Sequence, residues 1–484
     1  MPIKIAIIGA GSLGFTRKLV ADLLTVPEFS AVEIALTDID ARNLEMVTAL
    51  CRRDIAANKL KTRLTSTISR RTALRGANYV FCVVRIGGLE AYATDIEIPL
   101  RYGIDQCVGD TLCAGGLMYA QRGIAALLGF CRDIREVAAP GCLLLNYANP
   151  MAMMTWAASR FGGVRCVGLC HGVQHGHIQI AEVLGARRDE VEIVCAGINH
   201  QTWYVDVRLR GEPVPAAELL AAFERHPAFS RQEKVRIDML RRFGVYSTES
   251  NGHLSEYVPW YRKRPSEIHR WIDLGEWIHG ETGGYLRVCR EGRDWFTREF
   301  ARGAEGHPPL TFSPENRSDE HGSYIIEAME TGRPYRGHFN LPNNHTIPNL
   351  PADAIVEAPG YVDRHGFNSP QLAELPPGCA AVCSVSVGVQ RLGVLAAVSG
   401  DDSLLRQAFL LDPLVGAVCN PPEIGQLVDE MLVAGEKWLP QYKRAIAAAK
   451  KRLKAGPRIK TRPAPGLRAR PPRKPAKSNP RAGH

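Results

Sequence analysis

The stretch IKIAIIGAGSLGF at residues 3–15 decides the fold class of this chain. Residues 3–8 form an apolar run, which is typical of a strand that is buried on both faces of a parallel sheet. Residues 9–14 have the spacing G-x-G-x-x-G, and a helical stretch follows to about Leu24. A strand, a glycine-rich turn and a helix in this order predict the first unit of a dinucleotide-binding fold.

Strands alternate with helices through the first 195 residues. Four more apolar runs predict strands at residues 32–37, 79–84, 142–146 and 164–169, and a long helix is expected from about Gly116 to Val137. This alternation is typical of an α/β fold with right-handed crossovers. We therefore expect residues 1–195 to form a Rossmann-type domain with a doubly wound parallel sheet.

The pattern of the sequence changes after about Val194, where aromatic, glycine-rich and polar segments replace the regular alternation of strands and helices. We expect residues 196–455 to form a mixed α/β domain that contributes to the substrate and metal site and to oligomer contacts. Residues 456–484 contain seven Pro, nine Lys or Arg and no aromatic residue. Such a segment cannot bury enough apolar area to offset its ordering entropy, so it is predicted to be a disordered basic tail.

Composition restricts the class of protein. With 45% hydrophobic and 23% charged residues, the 484-residue chain resembles an ordinary soluble protein, and we expect no membrane-spanning helix and no signal peptide. The net charge of +10 comes from residues 443–484, which contain 15 Lys or Arg and no acid, whereas residues 1–442 contain 45 basic and 50 acidic residues. Thirteen cysteines without paired spacing indicate reduced thiols in a cytoplasmic protein.

The glycine spacing predicts a nucleotide site. The three glycines suit a tight turn, close approach of the backbone to a pyrophosphate, and close packing of the helix on the strand. Asp38 or Asp40, after the second strand, could accept a hydrogen bond from a ribose hydroxyl, which favours NAD over NADP. Arg85, after the third strand, lies where ligands bind in open α/β sheets. A glycine-rich turn without a ligand and a surface Arg are the alternatives. The candidate cofactor-binding residues are Gly9, Gly11, Ser12, Leu13, Gly14, Asp38, Asp40 and Arg85.

Cys170 and His171 follow the fifth strand at the same edge of the predicted sheet, and His200 comes 30 residues after Cys170. A thiolate and an imidazole suit a borderline-soft divalent ion, and two protein ligands would leave positions open for substrate oxygens. A buried Cys and a hydrogen-bonded core His remain the alternative.

Polar residues at other strand and helix boundaries are further candidates. The amide of Asn149 could bind a pair of sugar hydroxyls, although Asn-Pro also ends strands. Asp110 could orient a substrate or a metal-bound water, or it could cap a helix. The segment 248–257 is dense in titratable groups, and His253 and Tyr257 would share one face of a helix, where either could act as a base. A solvated helix with an aromatic contact is the alternative for this segment.

Together these motifs resemble the family 4 glycoside hydrolases. The resemblance covers about residues 3–440 and rests on the following segments: IAIIGAGSLGF (5–15), LTDID (36–40), VVRIGG (83–88), GDTLCAGGL (109–117), NYANPM (146–151), GLCHGVQ (168–174), GINHQTW (197–203), ESNGHLSEYVPWY (249–261), IPNLPADAIVEAP (347–359) and LLDPLVGAVCNPPEI (410–424).

The resemblance implies a fold like that of lactate and malate dehydrogenases, and it implies NAD and Mn²⁺, or another divalent metal, as cofactors. In this family NAD oxidises C3 of the sugar, a base removes the C2 proton with help from the metal, and the leaving group is eliminated. Water then adds, and the hydride returns to the sugar. The family is an exception to glycosidase chemistry with two carboxylates.

The resemblance also implies roles for single residues. Cys170 and His200 resemble the metal ligands, and Asn149 resembles the contact to substrate hydroxyls. His171 takes the position of the leaving-group acid of phospho-sugar members, and Asp110 stands where those members usually have Glu. His253 aligns with the Tyr that serves them as base, so we predict His253 as the base and Tyr257 as second choice.

The branch of the family follows from fewer residues. His171 directly after Cys170 resembles the α-galactosidase and α-glucosidase group, and CHGVQ together with NGHLSEYVPWY is most similar to α-galactosidases. Gly172, where galactosidases are expected to carry Ser, keeps an α-galacturonidase as an alternative. An NAD-dependent dehydrogenase of a polyol or hydroxy acid is a further one. We expect an α-glycoside substrate, a homodimer or homotetramer, no membrane partner, and only nonspecific contacts of the tail with nucleic acid.

Overall fold

The computed structural model describes residues 3–274, 280–302 and 306–467. Within this part of the chain one sheet contains thirteen strands. They are β1 (Lys4–Ile8), β2 (Glu33–Thr37), β3 (Arg63–Ser66), β4 (Tyr79–Cys82), β5 (Leu143–Asn146), β6 (Arg165–Gly168), β7 (Val191–Ile198), β8 (Gln201–Leu209), β9 (Glu212–Pro213), β10 (Tyr246–Ser247), β11 (Tyr335–Pro342), β12 (Ile355–Asp363) and β13 (Gly366–Asn368).

Nineteen α-helices surround the sheet in the described part of the chain. They are α1 (Leu13–Leu24), α2 (Ala41–Ala57), α3 (Arg70–Leu74), α4 (Gly88–Leu100), α5 (Cys113–Val137), α6 (Met151–Ala157), α7 (Gly172–Val183), α8 (Ala216–Arg225), α9 (Phe229–Gln232), α10 (Lys234–Phe243), α11 (Asn251–Tyr257), α12 (Pro265–Trp271), α13 (Gly284–Ala301), α14 (His321–Thr331), α15 (Pro377–Ser399), α16 (Asp402–Leu411), α17 (Pro413–Val418), α18 (Pro421–Ala434) and α19 (Lys443–Ala455).

The N-terminal half of the sheet is parallel and has the order β3-β2-β1-β4-β5-β6. This is the strand order of a Rossmann fold, so the predicted fold class is confirmed. All five predicted strands are present within two residues of their expected ends. The prediction missed β3, because this short edge strand has the sequence RLTS and carries no apolar run.

Both faces of the five predicted parallel strands are buried over most of their length, as the apolar runs predict. In β1 the side chains of Ile5 and Ile7 pack into one hydrophobic cluster, and those of Ala6 and Ile8 pack into the other. Helices therefore cover the sheet on both sides, and the loops at the strand ends remain available to form a site.

An antiparallel half continues the same sheet beyond β6 in the order β11-β12-β7-β8-β10. The junctions are narrow: Asn340 of β11 pairs with Gly168 of β6, and Glu357 of β12 pairs with Gly197 of β7. The domain boundary predicted near residue 195 falls inside β7, and the two predicted domains share this sheet.

One helix bears on the expectation that the chain has no membrane-spanning helix. Helix α15 is long and apolar enough to cross a membrane by length and composition, whereas we expected no such segment in the chain. Half of its apolar window is buried, and the helix packs against α5, α6 and α16. Core helices of soluble proteins have the same composition, so this helix is weak evidence for a membrane span.

The described part of the predicted tail, residues 456–467, lies extended on the body of the protein rather than free of it. The backbone of Leu467 exchanges hydrogen bonds with Thr282, and the N–H of Ala464 donates to Leu100 O at 2.9 Å. Residues 468–484 lie outside the described residues. The expectation of disorder therefore does not hold for residues 456–467.

We predict that Gly168→Ala destabilises the protein, because this position joins the parallel and antiparallel halves. An added Cβ would collide with Met151 Sδ and lie 2.6 Å from Thr155 Oγ1. Overpacking of this kind lowers the free energy of unfolding by about 1–3 kcal/mol. Denaturant unfolding measures the loss, and Gly129→Ala in α5, where an added Cβ meets nothing within 4 Å, is the control. Equal stability of the two variants would contradict the prediction.

Candidate active site

The glycine loop between β1 and α1 lies at the carboxyl edge of the parallel strands. Gly9 has φ +91°, and a Cβ there would lie 2.9 Å from the carbonyl carbon of Val83. The N–H of Gly11 donates to Asp38 Oδ2 at 2.8 Å. At Gly14 an added Cβ would meet no atom within 4 Å, so the close packing predicted for the third glycine is not found there.

The two acids that follow β2 differ in their contacts. Asp38 faces the glycine loop, and its Oδ1 accepts a hydrogen bond from the N–H of Asp40 at 2.9 Å. Asp40 caps α2 by accepting from the N–H of Asn43 at 3.0 Å. Ser12 is the N-cap of α1 without a side-chain capping bond, and the side chain of Leu13 is not among the described parts. Asp38 is therefore better placed than Asp40 to receive a ribose.

Arg85 extends from the end of β4 into a cage of aromatic rings. Its guanidinium carbon lies 4.5 Å from the ring centre of Tyr92, 5.1 Å from that of Tyr119 and 5.4 Å from that of Tyr285. These cation–π contacts hold the guanidinium at a fixed place. Its charge also interacts with the carboxylate of Asp110, so Arg85 lies beside the candidate site rather than on a bare surface turn.

The sulfur, imidazole and carboxylate of Cys170, His200 and Glu249 meet in one cluster. Their ligand atoms all lie within 4.8 Å of one another, and His200 Nε2 is 3.2 Å from Glu249 Oε2. Cys170 follows β6, His200 lies in the turn between β7 and β8 with φ +64°, and Glu249 precedes α11. The sequence predicts Cys170 and His200 as ligands but gives no specific signal for Glu249, although the polar segment 248–257 contains it.

The electrostatics of this cluster suit a divalent cation. Burial lowers the pKa of His200, which keeps its imidazole neutral and able to coordinate. Burial and the charges of Glu357 and Glu249 raise the pKa of the Cys170 thiol. Burial raises the pKa of Glu249, but its interactions with the rings of His200 and His253 and with the backbone N–H of Ser250 outweigh this and lower it to about 2. A sulfur, a nitrogen and an oxygen donor fit a borderline metal ion, and three protein ligands leave room for substrate oxygens.

A second group of possible ligands, Asp110, His200 and His253, shares His200 with the first. The carboxylate of Asp110 is already occupied, because Oδ2 accepts from Asn149 Nδ2 and Oδ1 accepts from Thr111 Oγ1, both at 2.9 Å. The first group is therefore the more available one for a metal ion. In the second group, Asp110 instead links the predicted substrate contact Asn149 to the cluster.

Helix α11 presents His253 and Tyr257 to the same cluster. Ser250 caps the helix, and its hydroxyl lies 2.9 Å from His253 Nδ1. The ring centre of His200 is 5.0 Å from that of His253 and 6.3 Å from that of Tyr257. The predicted helix is present, and both rings on its face adjoin the metal-ligand candidate. Which of the two acts as the base stays a prediction.

His171, at the start of α7, has a partner that the sequence analysis missed. Its Nδ1 lies 3.5 Å from Glu320 Oε1, and the side chain of His171 is 51% exposed whereas that of Glu320 is 6% exposed. This hydrogen bond with Glu320 raises the pKa of His171. Glu320 is 149 positions away in the chain, so no local pattern in the sequence connects the two residues.

A layer of buried polar side chains lies under the cluster. Glu357 accepts a hydrogen bond from Thr202 Oγ1 at 2.7 Å, and burial raises its pKa to about 7. The amides of Asn199 and Asn340 adjoin the same carboxylate, and Asn199 also adjoins the sulfur of Cys170. These three side chains are at most 2% exposed. None of the three is a candidate from the sequence alone, since a single buried polar residue in a strand or turn gives no local signal.

Comparison with known proteins identifies relatives over nearly the whole chain. The family model described as family 4 glycosyl hydrolase matches residues 4–186, and the model of the family 4 glycosyl hydrolase C-terminal domain matches residues 195–415. The chain is 63% identical to an alpha-galactosidase of Rhizobium meliloti (strain 1021) over 452 residues, which are 93% of this chain and 92% of that protein.

Two further relatives are more distant. An alpha-galactosidase of Bacillus subtilis (strain 168) is 32% identical over 442 residues, which cover 91% of this chain and all of that protein (100%). A 6-phospho-beta glucosidase of Thermotoga maritima, solved with manganese, NAD⁺ and glucose-6-phosphate, superposes with a TM-score of 0.74 at 21% identity. That similarity covers 90% of this chain and 99% of the other, and it shows a shared fold.

We predict that Cys170→Ser, His200→Ala and Glu249→Gln each weaken the binding of Mn²⁺ by about tenfold or more, because each removes a proposed donor atom. Isothermal titration with Mn²⁺ under reducing conditions measures the affinity, and titration with NAD checks that the nucleotide still binds. Cys195→Ser, which changes a buried thiol outside the cluster, is the control. Unchanged Mn²⁺ affinity in any of the three variants would remove that residue from the site.

Proposed function

The chain belongs to the family 4 glycosyl hydrolases, and from this premise we propose that it is an α-galactosidase that uses NAD and a divalent metal ion such as Mn²⁺. The 63% identity to an alpha-galactosidase over 93% of the chain supports the substrate class. The observation that carries the proposal is the convergence of the Cys170–His200–Glu249 cluster and the rings of α11 on one place, at the carboxyl edge of the sheet that also carries the glycine loop.

In the proposed reaction, bound NAD takes up and returns a hydride of the sugar, and a bound metal ion acts as a Lewis acid on sugar oxygens. The chain supplies the places for both. Cys170, His200 and Glu249 would hold the metal ion. The glycine loop and Asp38 would hold the dinucleotide at the carboxyl ends of β1 and β2.

We assign the removal of a sugar proton to His253 and keep Tyr257 as second choice. Burial raises the pKa of Tyr257, which keeps its phenol protonated and less able to act as a base. His253 is less buried, and an imidazole is a suitable base near neutral pH. Its position next to His200 would place it against a sugar that contacts the metal ligands.

We assign His171 to protonation of the leaving group and Asp110 and Asn149 to the sugar hydroxyls. The contact with Glu320 raises the pKa of His171, so its imidazolium persists to higher pH, as an acid requires. The hydrogen bond of 2.9 Å between Asn149 Nδ2 and Asp110 Oδ2 fixes the amide orientation for a hydroxyl pair. Arg85, which three aromatic rings hold beside Asp110, stays a candidate for binding the cofactor or the substrate.

A panel of p-nitrophenyl α-glycosides tests the function. We expect fast release of p-nitrophenol from the α-galactoside only when both NAD and Mn²⁺ are present, with no net NADH at 340 nm. The α-glucoside, the α-galacturonide and the α-glucuronide are the matched controls. Preference for the α-glucoside would replace the α-galactosidase assignment by α-glucosidase, and preference for the α-galacturonide would replace it by α-galacturonidase. Stoichiometric NADH would instead indicate a polyol or hydroxy-acid dehydrogenase, and full activity without NAD and metal would refute the proposal.

The setting of the enzyme is also a proposal. The thirteen cysteines all lie within the described residues and form no disulfide there, which supports a reducing cytoplasm. We expect a homodimer or homotetramer, as the family resemblance implies, and light scattering coupled to size exclusion would detect it. A monomer at micromolar concentration would contradict this assignment. Nucleic acid contacts are expected only as nonspecific, salt-sensitive contacts of the basic tail.

A further inference from the structure

The segment from Cys107 to Cys113, which carries Asp110 and Thr111, lies between two buried carboxylates. Glu256 contacts its first half, and Asp412 contacts its last residue. The two acids come from α11 and from the N-cap of α17, and neither was assigned a role by the sequence analysis. Glu256 is 0% exposed and Asp412 is 1% exposed.

Glu256 accepts three backbone hydrogen bonds. Its Oε2 accepts from the N–H of Cys107 at 2.7 Å and of Val108 at 3.2 Å, and its Oε1 accepts from the N–H of Gly109 at 2.8 Å. The guanidinium of Arg262 is fully buried nearby and offsets the charge of the carboxylate. Such charge-assisted bonds are stronger than neutral ones, so the carboxylate fixes the course of the backbone before Asp110.

Asp412 holds the other end of the segment. Its Oδ2 accepts from the N–H of Cys113 at 2.9 Å. Its Oδ1 accepts from the N–H of Leu414 at 3.1 Å and of Val415 at 3.0 Å, which caps α17. One carboxylate therefore joins the start of α5 to the start of α17.

The backbone between the two acids would not keep this shape unaided. Gly109 and Cys113 both have φ +61°, and the left-handed region is unfavourable for a residue with a side chain such as Cys113. The segment also folds back closely on α5, because a Cβ on Gly115 would lie 2.6 Å from Gly109 O, and one on Gly116 would collide with the backbone of Thr111. The shape depends on external hydrogen bonds and on three glycines.

We propose that Glu256 and Asp412 are positioning residues that hold Asp110 and Thr111 against the rest of the site. Asp110 Oδ2 bonds Asn149 Nδ2 at 2.9 Å, and Thr111 Oγ1 lies 2.7 Å from His200 Nδ1. A displacement of the segment by one ångström would break both contacts and misalign the groups that they orient. The proposal rests on the proposed function only for the chemical role of Asp110.

Hydrogen exchange measures the positioning directly and without turnover. In Glu256→Gln and in Asp412→Asn, we expect amides of the peptide spanning residues 105–113 to exchange at least about tenfold faster than in the wild type. Asp133→Asn is the matched control, because Asp133 is a buried acid about 30 Å further along α5 that bonds Arg side chains and not this backbone. Unchanged exchange in both Glu256→Gln and Asp412→Asn would overturn the proposal. If Glu256→Gln does not fold, the exchange of Asp412→Asn alone decides the outcome.

Turnover of the aryl α-galactoside then tests the link to Asp110. We expect Glu256→Gln to lower kcat by at least about tenfold in the wild-type background, but by less than about threefold in an Asp110→Asn/Thr111→Val background, because both contacts that the segment carries are already removed there. An equal loss of kcat in the two backgrounds would show that Glu256 has a purely structural role. Faster exchange combined with full activity of Asp110→Asn would leave the positioning intact and refute the proposed role of Asp110.

Discussion

The candidate site depends on one row of paired strand residues, which crosses the sheet where its parallel and antiparallel halves meet. Gly168 pairs with Asn340, Asn340 with Glu357, and Glu357 with Gly197. Cys170 comes two residues after one end of this row, and His200 comes three residues after the other. The two metal-ligand candidates belong to different halves of the sheet, so only this register brings their donor atoms within 4.8 Å of one another. The close contact of Gly168 with Met151 and Thr155 leaves no room for a side chain at the junction.

The parallel half of the fold could be predicted because its strands are buried on both faces. Such strands are apolar without interruption, and the glycine spacing fixes where the first one ends. The same reasoning fails at β3, which lies at the edge of the sheet and needs no apolar run. It also fails for residues 456–467, whose composition is that of a free tail. Their contacts are hydrogen bonds to Leu100, Thr282 and Gln426 and an ion pair between Arg458 and Glu430, which composition does not reveal.

The site could be predicted as far as local sequence reaches. Asn149 and Cys170 are candidates because the carboxyl ends of parallel strands gather at one edge, and His253 is a candidate because its segment is dense in polar groups. Partners from distant parts of the chain were missed: Glu320 beside His171, Glu357 beside Cys170, and Asp412 beside Cys113. A carboxylate in such a place is ordinary in sequence, and only the fold shows that it is buried and which group it faces.

The missed carboxylates have a common physical basis. An acid is costly to bury, so each one persists only where several donors or an opposite charge compensate it. Glu357 lies near the thiol of Cys170 and near Glu249, and its pKa rises to about 7, whereas that of Glu249 falls to about 2 beside two imidazoles. The cluster therefore concentrates negative charge and neutral donors at one buried point. A cation bound by Cys170, His200 and Glu249 would offset that charge, so the electrostatics of the buried side chains and the ligand geometry independently favour the same proposed metal site.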